Sequence, residues 1–298
     1  MKFIGSEKLI YAFSPDNPPA ASVDLDELFL VDCPDCYSGQ IRSSGDLRPN
    51  IDTSIMDAST GPISVSGIRA GETIKVRVHD LFLAESGVMV TAPGLGPLGE
   101  FISEPDTKII RIEKGLAVFS DTIRLPLTPM IGVLGVAPAE GSVHCAIPGD
   151  HGGNMDTKDI RPGNSVYFTS FVDGANLALA DFHACMGDGE LSGTGIEIAG
   201  KALLSVSKVP GVKIRTPVIE TPSEFMVVVS GEDFAAVSKR AVKESVDLIS
   251  SYHGISLADG YRLLSATCDL RISQIVNEKI TLRMVIPKSI LGELPKSA

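Results

Sequence analysis

The chain of 298 residues has no dense run of basic side chains; 26 Lys and Arg stand against 37 Asp and Glu, a formal charge of −11 with a pI near 4.9. Nucleic-acid binders neutralise phosphates with clustered cations, so this class of partner is not expected. No apolar run approaches the roughly 20 residues that a membrane helix needs. The opening MKFIGSEKLIYAF has neither a long apolar core nor a small-residue cleavage site, so a cytoplasmic protein is expected. Cysteine is sparse: five residues, an odd number scattered along the chain, fit a reducing compartment better than a disulfide framework. Cys33 and Cys36 form a single C-x-x-C without the second ligand pair of a structural zinc site.

What is present is a 44% hydrophobic chain, able to bury one large core or two modest ones, punctuated by 29 glycines and 19 prolines. Between them lie short alternating segments such as ISVSG, TIKVRVHDLFL, TKIIRIEKG and SVYFTSFV, whose period of two predicts strands. Two turn segments, Ile68 to Ile74 and Ile160 to Val166, look alike and suggest an internal duplication. After Gly231 the pattern changes. Phe234, Val237, Ala241, Leu248, Ile249 and Tyr252 recur at helical spacing, which predicts a helix over 232–252 with Gly254 as its stop. Ser256 with Asp259 resembles a cap opening a second helix, and DLRISQIV and TLRMVIP read as closing strands. The expected fold is mostly β, a jelly-roll-like sandwich over residues 1–230. An α+β segment over 231–298 is expected to pack back on it.

Two short matches carry little chemistry. Gly195 to Lys201 fits the outline of a phosphate loop, but Ala202 replaces the required Ser or Thr, and Ile196-Glu197-Ile198 alternates like a strand. Ser205-Val206-Ser207-Lys208 matches S-x-x-K without any supporting elbow. The densest polar signal lies between residues 144 and 190, where three of the five histidines sit beside carboxylates and glycines. In Gly149 to Asp156, paired glycines permit His151 and Asp156 to turn into a shared cavity, although a plain surface turn has the same composition. In Leu177 to Glu190, a strand would place Leu177, Leu179, Asp181 and His183 on one face. The following Gly187-Asp188-Gly189-Glu190 could bring Glu190 over them. A buried Asp and His must pair with each other or bind a cation. His with Asp and Glu is a zinc-type ligand set. Cys185 remains open either as a nucleophile or as a small buried hydrophobe.

Several blocks together resemble the acetamidase/formamidase family: Asp35 to Ile41, Thr60 to Ile63, Pro93 to Pro97, Ile131 to Pro138, His151 to Asp156, Asp181 to Glu190 and Asp269 to Gln274. The resemblance implies a metal-assisted amidohydrolase acting on a small linear amide, formamide or acetamide, with a γ-lactam as an alternative. It implies a divalent metal, zinc or else calcium, and a homo-oligomer, expected as a dimer. By matching motif, Asp181, His183, His151 and Asp156 are expected as metal ligands, and Glu190 and Asp188 as the proton-handling carboxylates. Two rivals stand beside this: an amidase dependent on Cys185, and a non-catalytic β-sandwich that binds a small molecule or metal. The sequence departs from the family pattern at Ala180, where a glycine is expected, at Asp57, where an asparagine is expected, and in a short stretch between Asp80 and Pro93.

Overall fold

The computed structural model describes residues 1–296. Strand accounts for 39% of it and helix for 14%. A nine-stranded sheet runs in the order Lys2–Ile4, Phe29–Cys33, Gly200–Val209, Thr73–Leu83, Ser165–Thr169, Val218–Glu220, Glu224–Gly231, Ile280–Pro287, Asp269–Gln274. A second, ten-stranded sheet contains Ser59–Val65, Ser86–Thr91, Asp106–Glu113, Met130–Gly135 and Leu177–His183. Their facing side chains, among them Val31, Ile74, Val76, Ile63, Ile131 and Phe182, form one continuous core. Alternation explains the inward choice in Thr73–Leu83: Ile74, Val76 and Val78 are buried while Arg77 and His79 are exposed.

Strand Glu224–Gly231 lacks that alternation, for a physical reason. Met226 and Val228 face the sandwich core, whereas Phe225, Val227 and Val229 pack on the opposite face against the helices, so both faces are apolar. The helices are α1, Phe234–His253, and α2, Leu257–Thr267. Asp233 caps α1 by accepting from Ala236 N, and Gly254 ends it in the left-handed conformation at φ 63°. Ser256 caps α2 through Asp259 N. Val237, Ala241, Val246 and Ile249 of α1 lie on Val227 and Leu282. Strand Ile280–Pro287 then pairs with Glu224–Gly231 over eight residues, which ties the chain's end into the same sheet. No helix among the described residues is long and apolar enough to cross a membrane.

The two look-alike turns occupy equivalent places. They launch neighbouring antiparallel strands, and each closes the far end of the other's strand: Gly71 N donates to Ser170 O and Gly163 N to Val78 O. The pairs Ser165 with Arg77 and Thr169 with Thr73 are exchanged by a local two-fold axis through the Lys75 and Tyr167 pair.

Candidate functional site

Strand Leu177–His183 is buried along its whole length. It pairs with Met130–Gly135 on one edge. On the other edge it pairs with Ser59–Val65 at its start and with Glu197–Ile198 at its end. The register against Ser59–Val65 shifts between Leu177 and Leu179, and where the partner changes Asp181 sits at φ 58°. The facing pattern changes just before Asp181. Leu177 and Leu179 point into the sandwich core, and so do Ala180, Phe182 and Ala184, so one step of alternation is lost. Asp181 and His183 share a face as expected from the sequence, but it is the face opposite to Leu177 and Leu179.

Carboxylates from four chain segments meet there. His183 Nε2 lies 3.1 Å from Glu197 Oε2, 3.3 Å from Asp181 Oδ1 and 4.0 Å from Asp156 Oδ1. Asn277 Nδ2 donates to Asp156 Oδ2 at 2.7 Å, and with the Asn154 amide oriented nitrogen-inward, the assignment its acceptor neighbours require, that nitrogen reaches both Asp156 oxygens at 2.9 and 3.0 Å and Asp181 Oδ2 at 3.3 Å. Asp57, Asp156, Asp181, Glu190, Glu197 and His183 are all at most 9% exposed. Glycine makes the crowding possible: a Cβ on Gly132 would come within 2.3 Å of Asp181 Oδ2 and 2.5 Å of Asp156 Oδ1, and one on Gly195 within 2.5 Å of His183 Nδ1.

Backbone strain gathers at the same place. Of nine non-glycine residues with positive φ among those described, four are Asp57, Asp156, Asp181 and Glu190. Each such residue costs on the order of 1–3 kcal/mol, a cost that persists where the surroundings impose it. The electrostatics agree. Burial, then repulsion from Asp181, pushes Asp156 up to about 7, and burial pushes Asp181 up to about 6 even with His183 beside it. Burial, then repulsion from Asp156, holds Glu190 well above its ordinary range. Burial disfavours the charged His183, yet Glu197 and Asp181 outweigh it and hold its pKa well above the usual histidine value.

Asp181, Glu190, Glu197, Asn154, Asn277 and Cys36 line a cavity of about 460 Å³. Glu190 also borders a neighbouring, more apolar cavity of about 570 Å³ walled by Met89, Phe119, Leu125 and Leu191. Two groups of three have donor atoms within 4.8 Å of one another: Asp156, His183 and Glu190, and Cys36, Asp181 and Glu197.

Of the residues expected from sequence, the structure brings together Asp156, Asp181, His183 and Glu190. His151 lies outside both groups. Its ring packs edge-on to Phe13 at 5.2 Å, its Nε2 has no partner, and burial lowers its pKa to about 4, which keeps it neutral. Asp188 is likewise elsewhere: Arg283 Nη2 donates to it at 2.6 Å and Lys158 Nζ lies 3.0 Å away, so it anchors the loop that carries Glu190. The strand ends at His183, so Cys185 does not continue its face; its thiol donates to Pro126 O at 3.3 Å, beside the apolar cavity. Sequence reasoning missed Glu197, Cys36, Asp57 and Asn277 as site residues. Glu197 stood in the rejected phosphate-loop outline, and Cys36 in a C-x-x-C whose other member, Cys33, turns away to donate to Leu179 O.

The chain resembles known proteins over nearly its full length. The profile of the Acetamidase/Formamidase family matches residues 5–145 and 139–293. An acetamidase structure from Bacillus halodurans superposes with a TM-score of 0.96 at 38% identity, covering 98% of this chain and 99% of that one. A structure described as a predicted acetamidase/formamidase from Thermoanaerobacter tengcongensis gives a TM-score of 0.95 at 40% identity, covering 98% and 97%. A formamidase from Methylophilus methylotrophus is 29% identical over 273 residues, 69% of this chain and 66% of that protein. The chain thus spans no more than 66% of the length of the curated relatives it matches. With both halves of the sequence matched by one profile and the whole fold shared, this chain belongs to the acetamidase/formamidase family.

Proposed function

We propose that the chain hydrolyses a small linear amide, of the formamide or acetamide kind, to ammonia and a carboxylate at the cluster around His183. The observation that carries this is five carboxyl groups buried around one imidazole, four of them, Asp57, Asp181, Glu190 and Glu197, on the wall of a cavity large enough for such an amide. Relatives named formamidase and acetamidase support the substrate class.

A divalent cation fits the donor set. Ligands about 2.0–2.1 Å from a tetrahedral ion lie roughly 3.3 Å apart, and Nε2 of His183 is 3.1, 3.3 and 4.0 Å from three carboxylate oxygens. Asp156, Asp181 and His183 would hold it. When bound, such an ion polarises a carbonyl and lowers the pKa of water. The chain's own groups then divide the remaining work. Asn154 and Asn277 fix the Asp156 carboxylate, so that it does not swing toward its neighbours. Gly195 lets the His183 ring sit where its Nδ1 meets Met186 Sδ at 3.3 Å, leaving Nε2 for the carboxylates. Glu190, buried and with Oε2 unpartnered, takes the proton from the attacking water and passes it to the departing nitrogen.

The test is ammonia release from purified protein over formamide, acetamide, propionamide and a γ-lactam, with and without a chelator. Release that the chelator abolishes and added zinc or calcium restores is expected. No release from any amide by metal-replete protein would favour a binding protein, and release blocked by thiol alkylation yet indifferent to chelation would favour Cys185.

A further inference from the structure

Two cavities meet at Glu190. One carries the carboxylate cluster on its wall; the other, about 570 Å³, is walled by Met89, Phe119, Leu125, Cys185, Leu191 and Ile196. The apolar cavity also reaches the back of the His183 ring through two more of its wall residues. Met186 Sδ lies 3.3 Å from His183 Nδ1, and a Cβ on Gly195 would come within 2.5 Å of the same atom. A formyl or acetyl group held at Glu190 leaves most of this second cavity unused.

The wall itself indicates what fills it. Leu191 follows Glu190 directly, yet it is 63% exposed where Glu190 is 7%. Met89, Phe119, Leu125 and Cys185 are only partly buried, packed on the sandwich core while they border the cavity. An apolar occupant gains by covering such side chains. No Lys, Arg or His is on this wall among the described residues, and its two carboxylates, Asp188 and Glu190, disfavour an anionic occupant.

We infer that this cavity receives the acyl chain of the substrate, so that the protein cleaves primary amides with longer apolar acyl groups, such as butyramide and hexanamide, in preference to acetamide. The inference rests on the amidase reading of the cluster. A primary amide loses ammonia, so its one apolar substituent is the acyl chain. The reaction is unaltered: the oxygen of water bonds to the carbonyl carbon, the carbon–nitrogen bond breaks, and ammonia leaves with the proton. Glu190 stands where the reacting amide and the acyl chain meet. Contacts that an acyl chain makes equally before and in the transition state lower KM and leave kcat unchanged.

The full chain, metal-replete, is assayed for kcat and KM on formamide, acetamide, butyramide and hexanamide as wild type, Leu191→Ser and Leu125→Gln. For wild type kcat/KM should rise about two- to fourfold with each added methylene, mainly through KM. Both variants should lower the hexanamide-to-acetamide ratio of kcat/KM by about three- to tenfold. Formamide and acetamide cleaved with kcat/KM flat or falling along the series overturns the inference while the amidase reading stands. A rise that both variants leave intact overturns the role of this cavity. No cleavage of any amide overturns the amidase reading, and the inference with it. Should neither variant fold, alkylation of Cys185 in wild type by N-ethylmaleimide, located by mass spectrometry, decides. Excess hexanamide should slow it more than the same concentration of acetamide, and equal rates overturn the inference.

Discussion

Arg283 offers the sharpest test of how the site loop is held. Its side chain is completely buried in strand Ile280–Pro287. Nη1 donates to Ile272 O at 2.6 Å and to Ser273 Oγ at 3.3 Å, Nη2 donates to Asp188 at 2.6 Å, and Nε lies 3.0 Å from Asp159 Oδ2 without hydrogen-bond geometry. The loop after Asp188 is further tied by Gly189 N donating to Ser273 O at 2.8 Å. Arg283→Met keeps an unbranched stem and removes the charge. Breaking a buried ion pair from one side costs about 3–5 kcal/mol, because the partner is left buried and unpaired. Asp188, 31% exposed and still beside Lys158, escapes part of this, whereas Asp159 at 9% does not. The lower part of that range, about 3–4 kcal/mol, is therefore expected. At about 2 °C per kcal/mol for a large domain, Tm should fall by about 6–8 °C. Adding Asp159→Asn to Arg283→Met should recover part of the loss, since it removes the stranded charge. Calorimetry on the single and double variants reads both. A single variant melting with the wild type, or a double variant melting below the single one, would refute the reasoning.

Three further outcomes follow from the geometry. His183→Ala should lose bound metal and activity together, while His151→Ala should keep metal because its ring lies outside the donor groups; metal analysis of both variants decides. Glu190→Gln should retain metal and lose about 10²–10⁴-fold in turnover, the usual worth of general acid–base catalysis, and an emptied site would make Glu190 a ligand instead. Burial works against the Glu220 carboxylate, but Lys288, Lys75 and Tyr167 more than offset it and hold its pKa at about 2, below the ordinary 4.5. Because the folded value is depressed, the stability it contributes is present above about pH 4.5 and is lost as pH falls through about 2. Glu220→Gln should thus cost on the order of 3 kcal/mol near neutrality, with the gap from wild type closing in acid; urea melts across that range showing a constant gap would contradict it.

Local chemistry made much of this protein legible in the sequence. Period-two runs such as Thr73–Leu83 declare strands because one face is apolar, and α1 with its Asp233 and Gly254 ends obeys rules that act within a few residues. Asp181 with His183, and Glu190 behind its glycines, announced themselves by composition and by the family blocks that contain them. What composition could not give was who meets whom. Cys36, Asp57 and Asn277 join the site from segments that are remote in the chain, and Glu197, though near in sequence, arrives only through its strand's pairing with His183. His151 and Asp188 look like site residues in their motifs. Phe13, on a strand near the start, covers the first, and Arg283, 95 residues further along the chain, draws away the second. The step of alternation lost between Leu179 and Ala180 shows the same division. Alternation is a rule of an unbroken ladder, and it fails where strand Leu177–His183 exchanges one edge partner for another, an event that tertiary pairing alone decides.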